Sequence, residues 1–175
     1  MAQRDFVDYV ADVVQALTSL GLQPVLVGGM ALVLLGSRRV TRDFDFVVEQ
    51  PAGRLTAMLS ALYERGFELV ARLDATGDVA ATLSNRRLAS IRLRLDAPAT
   101  AFFFNRKTGL RIDLLFDFPI AAATLATRAI PTRVRSHVLP VAAEPDLLRL
   151  KQLAKAARSS PGDDVDIAFL EARSG

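Results

Sequence analysis

The sequence contains no cysteine, no tryptophan and a single histidine, His137. Without thiols, disulfide frameworks, Cys-ligated zinc, iron-sulfur clusters and thiol catalysis are excluded. One imidazole also rules against a His-rich metal centre, and His137, amid Arg135 and Val138, is expected to be structural or exposed. A run of about 20 apolar residues, the length needed to cross a bilayer, is missing too. The longest apolar stretch, Val25 to Leu35, is short and is interrupted by Gly28-Gly29. The opening MAQRDFVDYV carries acidic residues where a secretory signal needs an apolar stretch, so a cytoplasmic location is expected. Any catalysis must therefore run on carboxylates, Lys, Arg and backbone amides.

What is present suits one globular domain: 175 residues, 51% hydrophobic and 23% charged. Residues 1–175 are read as a single unit, with a core over about residues 5–117 and a small helical part over about 119–173. Net charge is +3, but unevenly spread. Between Arg86 and Arg158 there are 14 Lys or Arg against 5 Asp or Glu, and elsewhere 8 against 14. A basic middle in an otherwise acidic chain fits a phosphate-rich partner.

Helical spacing of Phe6, Val10, Val13, Val14, Leu17 and Leu20, closed by Gly21, predicts a helix over residues 5–20. Val25 to Val27 reads as a buried strand, Met30 to Leu35 as a short buried helix, and Asp43 to Val48 as an alternating strand. A second helix is marked by Leu55, Met58, Leu59, Leu62 and Tyr63, and Phe67 to Ala71 reads as a strand. Ile91, Leu93 and Leu95 alternate with Arg92 and Arg94, which predicts a half-exposed strand with a basic outer face. A hairpin follows, Phe102 to Phe104 and Leu110 to Phe116 about the turn Asn105 to Gly109. Ala121 to Ala129 reads as a small helix and Arg133 to Val141 as an extended segment. Two helices close the chain, one opened by Pro145 and running to Ala157, one following Pro161-Gly162.

The sharpest pattern is Gly28-Gly29, thirteen residues, then Asp43-Phe44-Asp45. Residues i and i+2 of a strand share a face, so Asp43 and Asp45 project together, their roots about 6 to 7 Å apart, while Phe44 and Phe46 face the core. Two anions on an apolar strand raise each other's pKa unless a cation neutralises them, and a hard ion such as Mg²⁺ answers that need with oxygen ligands. Asp113 interrupts the later strand, sharing its face with Arg111 and Leu115; Asp117 is its competitor at the strand end. Were the two strands neighbours, three carboxylates would converge and could hold two ions, the arrangement of nucleotidyl transfer. The Gly pair, between a strand and a helix start, offers backbone amides and close approach to phosphates.

The stretch LVGGMALVLLGSRRVTRDFDFVV resembles the first motif of the nucleotidyltransferase superfamily, and DLLRLKQLAKAARSSPGDDVDIAFL resembles the closing motif of its AbiEii-like abortive-infection branch. The resemblance implies an α/β fold with a mixed sheet flanked by helices, an NTP donor and Mg²⁺. It further implies use as the toxin of a toxin-antitoxin pair, with an antitoxin protein as partner and tRNA as one acceptor. On this reading Asp43, Asp45 and Asp113 are catalytic and hold metal, while Gly28, Gly29, Lys151 and Asp166 bind nucleotide. The alternatives are a non-catalytic nucleotide-sensing or partner-binding relative, and transfer to a small molecule or a protein. Lys151 falls on the apolar stripe of its helix, where it either snorkels to water or points into the cleft. Asp163, Asp164 and Asp166 sit at a helix start that favours anions without any function. Arg92, Arg94, Arg106 and Lys107 either bind an RNA backbone or are solvated. Thr41 either bonds the nearby backbone or, once phosphorylated, sets repelling charge beside the acids.

Overall fold

The computed structural model describes residues 3–158 and 161–175. Helix α1 (Phe6–Ser19) starts at a capping box, in which Asp5 accepts from the amides of Val7 and Asp8 while Asp8 accepts from that of Asp5. Its face of Val7, Val10, Val13, Val14 and Leu17 is buried, as the 3.6-residue spacing requires. Strand β1 (Val25–Val27) runs straight into α2 (Gly28–Leu34), and β2 (Asp43–Val48) returns antiparallel to β1. Then come α3 (Leu55–Glu64), β3 (Phe67–Leu73), β4 (Val79–Leu83), α4 (Arg86–Asp96), β5 (Thr100–Asn105) and β6 (Arg111–Phe116). The chain continues through α5 (Ala122–Arg128), β7 (Ile130–Val134), β8 (His137–Val141), α6 (Glu144–Ala157) and α7 (Pro161–Ser174).

All eight strands form one sheet in the order β4-β3-β5-β6-β2-β1-β8-β7. Two pairings are parallel, β2 with β6 and β1 with β8, so the sheet is mixed and the fold is α/β. Phe46, Phe67, Phe103, Ile112 and Leu114 are among the fully buried side chains of the core. One helical layer holds α1 and α4 against α3, and the Phe6 ring of α1 stands 6.3 Å from that of Phe44. Helix α6 covers the opposite face, to which Asp45 and Asp113 point, and α7 packs on α6.

Two expectations about secondary structure are corrected. Residues 91–95 are not a strand but part of α4. Asn85 caps that helix by accepting from the amides of Arg87 and Leu88, and Ala89 and Leu93, four residues apart, are its buried positions. Ile91 and Leu95, expected on a core face, are exposed. Leu and Arg both favour helices, so the accidental alternation lost to propensity and capping. The edge strand β4 was not expected at all; its half-exposed Val79–Leu83 carries little apolar periodicity and pairs with β3 through shifted register. The extended segment expected at residues 133–141 is a hairpin of β7 and β8. His137 lies there, its Nε2 2.6 Å from Asp8 of α1.

Candidate active site

Parallel pairing of β2 with β6 puts Asp45 directly beside Asp113 and Asp43 beside Arg111. Burial pushes Asp45 up to about 7, with the neighbouring Asp113 charge adding to the effect. Asp113 is likewise raised by burial, opposed by Arg111, which donates to both of its oxygens at 2.7 and 3.1 Å. Asp43 contributes charge to both acids from the same strand face. The expected three-way convergence is thus partial. Asp45 and Asp113 meet, Asp43 stands opposite Arg111, and among the described residues no three acidic, His or Cys side chains form a ready metal cluster. Asp117 is committed elsewhere: with φ of +50°, it accepts from the amides of Gln50 and Ala122.

Gly28 abuts this pair. A Cβ there would lie 2.3 Å from Asp45 Oδ2, and its φ of +71° suits glycine alone. Helix α2 begins at Gly28 with no side-chain cap, which leaves its first amides without side-chain partners. At Gly29 the φ is ordinary and a Cβ would meet only the Arg39 side chain, at 2.7 Å. Gly28→Ala is therefore expected to cost about 2 kcal/mol or more of stability, from left-handed backbone strain plus the clash. Gly29→Ala should be near neutral, because a helix gain of about 1 kcal/mol offsets moving a flexible arginine. Urea unfolding of the two variants checks the contrast.

Lys151 lines the same cleft but is already occupied. Its ammonium stands 2.8 Å from Asp166 and 3.5 Å from Asp163, both buried on α7, and Asp166 also pairs with Arg39. Asp166 thus anchors two cations rather than facing the cleft alone. Asp164 is exposed and pairs with Lys155. The cleft between sheet and α6 holds about 430 Å³; Phe102, Leu115, Phe118, Leu150 and Leu153 line its apolar end. Arg92 and Arg94 belong to α4, which packs on α3, where Arg94 bonds Thr56. Arg106 pairs with Glu68, and Lys107 sits in the β5–β6 turn. The Thr41 hydroxyl accepts weakly from the Asp43 amide at 3.4 Å, and the strand starts only at Asp43, so Thr41 does not extend the face of the acids. Arg39 and Arg111 were given no role from sequence. Arg111 had a readable signal, two residues before Asp113 on the same strand face; Arg39 had none.

A family model described as nucleotidyl transferase AbiEii toxin, type IV toxin-antitoxin system, matches residues 14–174. The chain belongs to this family. No curated protein sequence matches it. Among solved structures, the antibiotic-resistance factor ANT(2'')-Ia is similar to this AbiEii-family chain at a TM-score of 0.58 and 12% identity, over 97% of this chain and 84% of the other. The lincosamide antibiotic adenylyltransferase LnuA, solved with lincomycin bound, gives 0.56 and 12%, over 97% and 98%. An antigenic nucleotidyltransferase-like protein from Paracoccidioides brasiliensis gives 0.54 and 19%, over 92% and 72%. At such identities these likenesses establish the nucleotidyltransferase fold, and family membership makes this AbiEii-family chain a nucleotidyltransferase. No helix among the described residues is long and apolar enough to cross a membrane.

Proposed function

We propose that the protein transfers a nucleoside monophosphate from an NTP to a hydroxyl of RNA, with tRNA as the acceptor class and Mg²⁺ as the metal. The observation that carries this reading is the Asp45–Asp113 pair, forced together on adjacent strands at the floor of a cleft. A buried carboxyl held near neutrality marks an unmet demand for positive charge, and the all-oxygen set of Asp43, Asp45 and Asp113 fits Mg²⁺. Those three residues would hold the ion, which supplies charge stabilisation to the reacting phosphate.

The remaining roles fall to this chain's own groups. The amides at Gly28 and Gly29 would receive the triphosphate, and Lys151, set in place by Asp163 and Asp166, would bind it as a point charge. The acceptor oxygen bonds the α-phosphorus as the bond to the bridging oxygen breaks, pyrophosphate leaves, and the hydroxyl proton passes to Asp113. Support for RNA comes from the basic middle of the chain, which suits a phosphate-rich acceptor. The family description supports an antitoxin partner.

A small hydroxylated acceptor is the second reading, favoured by the apolar end of the cleft. The lincosamide antibiotic adenylyltransferase of the same fold was solved with lincomycin bound. Incubation with each labelled NTP, Mg²⁺ and either total RNA or a panel of hydroxylated small molecules separates them. The proposal expects label on RNA in a gel, weakening steeply with salt as released counterions dictate. Label on a small molecule alone selects the second reading, and no pyrophosphate release from any mixture refutes both.

A further inference from the structure

We propose that Arg111 is a displaceable counter-ion, which weakens divalent-metal binding at the Asp45–Asp113 pair until nucleotide phosphates draw its guanidinium away. The inference rests on the metal-dependent reading above and assigns a positioning role to a residue that reading leaves unused.

The geometry is that of a clasp. Arg111 grips both oxygens of Asp113, and the two side chains are only 15% and 11% exposed. Two ionised oxygens offer about four lone-pair sites, and the fork takes one on each oxygen. An ion reaching the remaining sites meets a guanidinium that already engages both oxygens, and no ready metal cluster forms among the described residues. Asp43, the third acid, is the register partner of Arg111 itself. One fixed positive charge thus sits where a divalent ion must come, and like charges at that range in a buried site repel strongly.

The arginine also has somewhere to go. Its guanidinium stacks 4.3 Å above the Phe102 ring and donates to the Gly77 carbonyl at 3.2 Å, so contacts at the rim persist when Asp113 is released. Arg111 lines the same cleft as Gly28 and Lys151, within which a triphosphate offers paired oxygens that match the planar fork of a guanidinium. Lys151, held by Asp163 and Asp166, adds a point charge to the triphosphate but not a second two-point grip. Metal alone therefore meets an occupied acid, whereas metal arriving with nucleotide meets a free one.

Direct Mn²⁺ binding to the full chain, followed by the electron paramagnetic resonance of free Mn²⁺ without nucleotide, tests this. Arg111→Gln is expected to bind Mn²⁺ about tenfold or more tighter than wild type, since the competing charge is gone. Arg111→Lys keeps the charge but loses the two-oxygen grip, and a smaller gain of the same sign is expected; it is the deciding variant if Arg111→Gln does not fold. With a non-hydrolysable ATP analogue present, the difference between wild type and variant should shrink. Mn²⁺ bound no tighter by the folded variant than by wild type overturns the role of Arg111 and leaves the metal site standing. No Mn²⁺ bound by any of the proteins, with or without the analogue, overturns both.

Discussion

Asp45→Asn is expected to abolish nucleotidyl transfer and, in the metal-free protein, to raise stability above neutral pH. The loss follows, on the proposed function, from replacing the carboxylate that would hold the ion by a neutral amide; such electrostatic stabilisation is worth several kcal/mol, or about a thousandfold in rate. The gain follows from linkage. Burial and Asp113 raise Asp45 from 3.8 to about 7, so between those values the folded state holds a proton that the unfolded chain has released. Stability tied to this group is complete below about pH 4, falls as pH rises, and is gone above about pH 7. Replacing the acid by a neutral amide removes that slope and leaves the protein on the order of 2 to 4 kcal/mol more stable at pH 8. Urea unfolding from pH 4 to 9 without divalent ions checks it. A variant that is less stable than wild type at pH 8 contradicts the assignment of Asp45 as a strained anion.

Lys151→Met is expected to destabilise the fold by about 3 kcal/mol, because it removes the cation shared by two buried carboxylates and leaves Asp166 with Arg39 alone. Asp163 and Asp166 are 2% and 3% exposed, and one Asp163 oxygen already has no hydrogen-bond partner. Lys155→Met removes the same charge from an exposed, solvent-screened pair with Asp164 and should leave stability close to that of the wild type. The double variant Lys151→Met with Asp166→Asn should recover part of the loss, since it removes one stranded anion. Thermal unfolding of the four proteins reads stability, and KM for NTP reads binding. A Lys151→Met protein as stable as Lys155→Met would mean that the lysine merely reaches to water.

Much of this arrangement was legible in the sequence where a single local rule decided the outcome. Helical spacing placed α1, and the abrupt change from Val25-Leu26-Val27 to Gly28-Gly29 marked a strand meeting a helix. Alternation set Asp43 and Asp45 on one face of β2, and the same alternation set Arg111 beside Asp113 on β6. Pairing between strands separated by over sixty residues has no local signal, so the meeting of Asp45 with Asp113 could only be posed as a condition. Two periods competed at residues 86–96, where alternating Arg and Leu satisfied a strand while Asn85, Ala89 and Leu93 satisfied a helix; the cap and burial decided it. Lys151 stood on an apolar stripe in both readings. That its partners are Asp163 and Asp166 depends on how α7 packs against α6, which no periodicity encodes.

The parallel register of β2 on β6 also bears on biosynthesis. The groups of the cleft come from β1, α2, β2, β5, β6, α6 and, through the anchors of Lys151, α7, so they span residues from Val27 to Asp166. A parallel pair cannot be closed by a tight turn, and its loop-closure entropy must be met before the contact stabilises anything. Asp45 therefore leaves the ribosome long before Asp113, and Lys151 precedes the carboxylates that hold it. Domains fold as units during synthesis at about 5 to 20 residues per second. A nascent or truncated chain lacking α7 thus carries the acids without a positioned lysine, and the complete cleft forms only after residue 166 has been made.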